Sequence, residues 1–184
     1  MGGTGNDGKA RHHSLAAPDG TSLAYARTPA RRADLPGVVF CGGFRSDMTG
    51  TKARRLEAFC AAGGQAYVRF DYRGHGASGG AFADGTIGAW RDDALTVLDH
   101  ATDGPQVIVG SSMGAWIAVL AALARPGRVA GLVTVAAAPD FTEDLVWARL
   151  DPDQRRTLVE DGVLLRPSAY SEDPYPFTRA LIEE

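Results

Sequence analysis

One five-residue stretch constrains this chain more than any other. Gly110-Ser111-Ser112-Met113-Gly114 follows the pattern G-x-S-x-G. The residues before it, Gln106 to Gly110, form a short apolar run, and those after it, Met113 to Ala124, are apolar almost all round. That context predicts a buried strand, a tight turn and a central helix with no loop between them. A strand-to-helix turn of this kind forces Ser112 into a strained backbone conformation and lifts its Oγ above a sheet. A Cβ at Gly110 or Gly114 would clash with neighbouring backbone. The helix that follows points its N–H groups at any negative charge developing there.

The surrounding rhythm is of alternating strands and helices. A hairpin is expected from His12 to Ala17 and from Thr21 to Arg27, about the turn Pro18-Asp19-Gly20. Strands are expected at Val38–Cys41, Gln65–Asp71, Gln106–Gly110 and Val129–Ala137. Helices are expected over Lys52–Ala62, stopped by Gly63-Gly64, and from the N-cap Thr86 to Ala101. Repeated strand–helix–strand units imply a mostly parallel sheet with helices on both faces. After Pro139 the pattern changes to a short helix over Phe141–Leu150 and another from Asp151-Pro152 to Glu160. The tail, with Pro167, Pro174 and Pro176 beside Tyr170, Tyr175 and Phe177, is expected to contain no strand and to turn helical at Thr178. The division read from this is a flexible lead over 1–11, an α/β core over 12–139 and an incomplete lid or cap segment over 140–184.

Composition excludes several classes. At 184 residues, 45% hydrophobic and 22% charged, the chain is the size and balance of one globular domain. A net charge of −3, with the Arg residues scattered, argues against nucleic-acid binding. No apolar stretch reaches the ~18 residues of a membrane-spanning helix. Cys41 and Cys60 have no metal-ligand spacing and read as two free thiols. Met1 to Lys9 is polar and Gly-rich, unlike a secretory signal, and a cytoplasmic location is expected. No Walker loop, zinc spacing or dinucleotide fingerprint is present, so no metal and no cofactor is expected.

Gly42-Gly43-Phe44 ends an earlier strand, and Asp71-Tyr72-Arg73-Gly74-His75-Gly76-Ala77-Ser78 ends the next. With the Ser112 turn, these stretches resemble the α/β-hydrolase superfamily. The run from Cys41 to Leu150 is similar to its palmitoyl-protein thioesterase and acyl-glucuronide esterase branch, through Asp47-Met48, Arg69-Phe70-Asp71-Tyr72 and Asp140-Phe141-Thr142-Glu143 before Leu145-Val146-Trp147. The resemblance implies an α/β-hydrolase fold lacking its last strands, and a serine hydrolase of carboxylic esters or acyl thioesters. Ser112 would be the nucleophile, and the N–H groups of Met113 and Phe44 the oxyanion hole. Gly43, Gly110 and Gly114 would let the backbone close up around them. Trp147 and Leu145 are candidates for an acyl pocket and equally for packing.

A serine nucleophile needs a histidine base oriented by a carboxylate, and the resemblance places both after the serine. His12, His13, His75 and His100 all precede Ser112. His75 lies in a loop at the expected edge, but its flanking glycines and the resemblance give that turn a structural use. The chain therefore reads as the N-terminal part of a longer hydrolase, with a non-catalytic binding module as the alternative. Asp71 and Arg73 are expected to hold their own turn, and Asp84, Asp92 and Asp93 to be solvated or capping. A bare last strand would leave an apolar edge and make the chain poorly soluble or dimeric.

Overall fold

The computed structural model describes residues 11–168 and 171–184. The lead expected over 1–11 lies outside the described residues except for Arg11, which opens the first strand, and Tyr170 also lies outside them. The hairpin is β1 (Arg11–Ala16) and β2 (Ser22–Thr28), paired antiparallel from Arg11↔Arg27 to Ala16↔Ser22. Then follow β3 (Gly37–Cys41), α1 (Thr51–Gly63), β4 (Tyr67–Phe70), α2 (Ile87–His100), β5 (Gln106–Ser111), α3 (Met113–Ala124) and β6 (Val129–Val135).

The six strands form one sheet in the order β1-β2-β4-β3-β5-β6. β2 joins β4 antiparallel, while β4, β3, β5 and β6 run parallel. All five residues of β3 and all four of β4 are buried, as expected of central parallel strands covered on both faces. Helix α1 stops where Gly64 adopts φ +72°, and the Thr86 hydroxyl accepts the Ala89 N–H at 3.1 Å to cap α2. The main core lies under α2 and α3, with Trp90, Val97, Ile108, Met113 and Ile117 fully buried. Because β3, β4 and β5 are parallel, the loops after Cys41, Phe70 and Ser111 emerge together at one edge of the sheet.

Two expectations are corrected beyond residue 140, and a third is met. The helix read over Phe141–Leu150 is instead a π-helical turn, Thr142–Val146, running into a 3-10 turn, Trp147–Arg149. The helix from Asp151 is present as α4 (Pro152–Asp161), closed at its start by a capping box in which Asp151 accepts the Gln154 N–H at 2.8 Å. The tail does contain strands: β7 (Val163–Ser168) and β8 (Ser171–Thr178) form an antiparallel hairpin separate from the large sheet, ahead of α5 (Arg179–Glu183). Pro167, Pro174 and Pro176 suggested a coil. In a two-stranded hairpin every strand is an edge, and proline is tolerated there because an outward-facing N–H has no ladder partner to lose.

Strand β6 is the last of the sheet order, with Leu132, Val133 and Val135 between 40% and 47% exposed. No helix among the described residues is long and apolar enough to cross a membrane.

Candidate active site

Ser112 sits between β5 and α3 with φ +56° and ψ −122°, a combination that non-glycine residues rarely adopt. It is exposed, whereas its neighbours Ser111 and Met113 are buried. Backbone bonds hold the turn: the Ser112 N–H donates to the Val135 carbonyl at 3.0 Å, and the Ala115 N–H donates to the Ser112 carbonyl at 2.9 Å. Packing explains the glycines. A Cβ on Gly110 would fall on the Ala115 Cα and the Gly114 carbonyl, and one on Gly114 would fall on the carbonyl oxygens of Cys41 and Gly42. The second contact is what allows the loop after β3 to lie directly against the start of α3. A Cβ on Gly43 would stand 3.3 Å from the Ser111 carbonyl oxygen and 3.5 Å from the Ser112 Cβ.

Ser112, Met113, Phe44 and the three glycines are thus brought together. The loop after β3 turns sharply, with the Ser46 N–H donating to the Gly43 carbonyl at 3.0 Å and Arg45 at φ +56°. The amide N–H groups of Phe44 and Met113 donate to no other group among the described residues.

A buried polar frame supports this loop. The Asp71 carboxylate accepts the Met48 N–H at 2.6 Å and the Ala77 N–H at 2.8 Å, so it ties two loops together and not only its own turn. Burial is the main influence on Asp71 and raises its pKa, against the pull of these N–H donors. Arg69, 1% exposed, donates to the Met48 carbonyl at 2.9 Å and pairs with Glu57 at 3.2 Å. Asp93, expected to be solvated or capping, is instead wholly buried and accepts both the N–H and the guanidinium of Arg73. One carboxylate on α2 thereby anchors Arg73 in the turn after β4.

The Phe44 ring is the hub of an aromatic cluster. It packs edge-on against Phe82, Trp90 and Phe141, and lies parallel to Phe177 of β8 at 5.3 Å between centroids. Tyr175 of β8 is 5.9 Å away and also faces the Arg45 guanidinium at 5.4 Å. Tyr175 and Phe177 pack on the candidate oxyanion loop. Their alternation along a strand was the available signal, and the intervening Pro176 hid it.

Trp147 and Leu145 are placed differently. Trp147 packs with Leu150, Leu158, Leu164 and Ile182 and lies under the Arg155 guanidinium at 4.9 Å, while Leu145 is 43% exposed. Trp147 also lines a small cleft of about 140 Å³ with Glu143, Val159 and Arg179, which shares no residue with the 260 Å³ cleft beside Gly43, Ser46 and Ser111. From this segment it is Phe141 that reaches the Phe44 cluster.

The histidines stand apart from Ser112. His12 and His13 are exposed on β1, and His100 ends α2 at the opposite edge of the sheet. His75 is buried, with its Nδ1 at 3.1 Å from the Arg73 carbonyl oxygen and its Nε2 accepting the Arg45 N–H at 3.3 Å. No hydrogen bond joins the Ser112 Oγ to a histidine or a carboxylate among the described residues.

With this geometry in view, comparison with known proteins is decisive for the family. The sequence profile of the alpha/beta hydrolase fold matches residues 38–179. The chain belongs to the α/β-hydrolase family. It is 43% identical over 159 residues to the bovine protein named palmitoyl-protein thioesterase ABHD10, mitochondrial, covering 86% of this chain and 51% of that protein. The human protein of the same name is 42% identical over 156 residues, covering 85% and 50%. The chain therefore spans about half the length of the curated relatives it matches. Among solved structures, a putative hydrolase from Agrobacterium vitis S4 superposes with a TM-score of 0.91 at 42% identity, covering 95% of this chain and 70% of that one. Mouse alpha/beta hydrolase domain-containing protein 10 superposes at 0.83 with 36% identity, covering 95% and 68%. The expectation of a cytoplasmic location is corrected by these relatives, which are named as mitochondrial proteins.

Proposed function

We propose that this α/β-hydrolase chain carries the nucleophile and oxyanion hole of a serine hydrolase that cleaves carboxylic esters or acyl thioesters. The observation that carries the reading is Ser112: exposed, at φ +56° and ψ −122°, between a buried strand and the N-terminus of a buried helix. Its Oγ attacks the acyl carbon, and the unengaged N–H groups of Met113 and Phe44 receive the carbonyl oxygen as it becomes negative. The thioesters named in the relatives favour acylated thiols as substrates, and the aromatic cluster on Phe44 offers an apolar wall to an acyl chain. In this reading residues 140–184 act as a cap, with β8 resting on the oxyanion loop. The proton acceptor is a histidine from outside residues 1–184, since His75 has both ring nitrogens engaged elsewhere.

That last observation also favours a second reading, a non-catalytic binding module built on the same fold. Hydrolysis of a short aryl ester and of an acyl thioester by the protein isolated from its source separates the two. Turnover that disappears in Ser112→Ala supports the hydrolase. Turnover that persists in Ser112→Ala removes Ser112 from the role, and no turnover of either substrate favours the binding module.

A further inference from the structure

We propose that His75 is a positioning residue for the loop that carries Phe44: its neutral imidazole accepts the Arg45 N–H and so holds the Phe44–Arg45 peptide, and with it the path of the loop beside Ser112, in the form seen. This rests on the assignment of Phe44 to the oxyanion hole made above.

Gly43 to Ser46 closes with a bond from the Ser46 N–H to the Gly43 carbonyl, and of its two central residues Arg45 alone has a positive φ. That is a type II turn, whose third position favours glycine. Arginine there is strained, and flipping the Phe44–Arg45 peptide would relieve the strain by giving a type I turn. The flip would turn the Arg45 N–H away from His75 and point the Phe44 carbonyl toward it, changing Phe44 ψ and Arg45 φ; the Phe44 N–H, in the preceding peptide, shifts only as the loop relaxes. Something must hold the peptide in the strained form, and His75 Nε2 at 3.3 Å is the acceptor placed to do it.

His75 is itself held firmly. It is 4% exposed and boxed by Tyr72, Phe82 and Trp90, with ring centroids 5.6, 5.0 and 5.2 Å away. Its Nδ1 lies 3.1 Å from the Arg73 carbonyl, which also accepts the Trp90 indole N–H at 3.2 Å. An N–H approaching Nε2 and a carbonyl facing Nδ1 assign the proton to Nδ1. Phe82 and Trp90 touch the Phe44 ring as well, so one aromatic box fixes both the loop side chain and the histidine that holds the loop backbone.

Of the charged groups near the ring, Arg45 opposes its protonation. Arg45 is the cation nearest the acceptor side, and Asp47 lines the same small cleft. On its own turn Asp71 is committed to Met48 and Ala77, and Arg73 to Asp93 of α2 and Asp19. Asp84, beyond Phe82, is exposed. Burial lowers the His75 pKa, the hydrogen bond to the Arg73 carbonyl raises it, and the Arg45 charge lowers it further. A group whose folded pKa is depressed contributes fully above the ordinary histidine value, ~6.5, and loses that contribution as pH falls below it. Protonated His75 would set a second N–H against the Arg45 N–H and release the turn.

The test compares His75→Phe, which keeps the aromatic bulk without an acceptor, with His75→Gln, which offers a non-titrating acceptor. In the protein isolated from its source or expressed to match it, His75→Phe should lower kcat for a short aryl ester about 10- to 100-fold with little change in KM, somewhat less than outright loss of an oxyanion donor. His75→Gln should restore most of kcat and flatten part of the acid limb of the wild-type pH profile. Amide NMR shifts of Arg45 and Phe44, read in a Ser112→Ala background, should move with protonation of the His75 ring. Wild-type kcat in His75→Phe, where Ser112→Ala is inactive, overturns the inference and leaves the hydrolase reading intact. Activity that survives Ser112→Ala fails the hydrolase reading instead, and the two amide shifts then decide the role of His75 in the turn. If His75→Phe does not fold, the wild-type titration decides: amides indifferent to His75 protonation overturn the proposal.

Discussion

The turn around Ser112 and the segment from Phe141 to Glu183 meet at Phe44, yet they are built differently. Around Ser112 backbone packs on backbone: Gly114 leaves no room for a Cβ against the carbonyls of Cys41 and Gly42, and Ser112 itself is bonded to β6. The later segment has a π-helical turn, a 3-10 turn, a ten-residue helix and a two-stranded hairpin that joins no strand of the main sheet. It reaches the Phe44 cluster through the side chains of Phe141, Tyr175 and Phe177. Backbone packing admits one geometry, whereas ring-on-ring packing can be re-tailored by substitution. If the proposed function holds, the difference suits a fixed reaction centre under an adjustable cover.

The largest effect expected from that contrast is at Gly114. Gly114→Val drives a branched side chain into two carbonyl oxygens that cannot move without displacing β3, and should cost about 3 kcal/mol or more. Soluble yield and urea unfolding would show it, and a variant as stable as wild type would refute the backbone-packing account. Next is Asp71→Ala, which strands the Met48 and Ala77 N–H groups in a buried site. A loss of about 2–3 kcal/mol is expected, with weakened Ser112-dependent turnover because Met48 belongs to the same loop as Phe44.

On the other side of the comparison the effects should be smaller and of another kind. Phe177→Ala removes the ring stacked on Phe44 and should cost about 1 kcal/mol in stability. Its signature is a KM that rises more for long acyl chains than for short ones, with kcat for the short ester nearly kept. A fall in kcat alone would mean that β8 positions the oxyanion loop and does not line a pocket.

The same contrast explains what could be read in the sequence. The α/β alternation, the Ser112 turn and the Gly42-Gly43-Phe44 loop were legible because backbone packing demands particular residue types, apolar runs and glycines, at particular places. The hairpin β7–β8 was not, because its prolines mimic a coil and its partner strand is its own neighbour. Burial of Asp93 was also missed: its spacing of three from Trp90 and four from Val97 puts it on the inward face, but a charged residue reads as solvated when its partner, Arg73, lies 20 residues away. Trp147 shows the limit in the opposite sense. Beside a lid motif it reads equally as pocket wall and as packing, and nothing in the chain's pattern separates the two; its contacts are those of the small cluster around Leu158.

The smallest effect on stability, and the last to be expected, is at β6. At its carboxyl end the Val135 carbonyl receives the Ser112 N–H. The strand is an edge of the sheet, and Leu132, Val133 and Val135 along it are 40% to 47% exposed. A chain of residues 1–184 should therefore self-associate with rising concentration. Val133→Lys should suppress this with stability changed by no more than about 0.5 kcal/mol, because the side chain already faces solvent. Light scattering across a concentration series is the check. A concentration-independent monomer mass for the wild-type chain would show that this edge, for all its apolar residues, does not recruit a second strand.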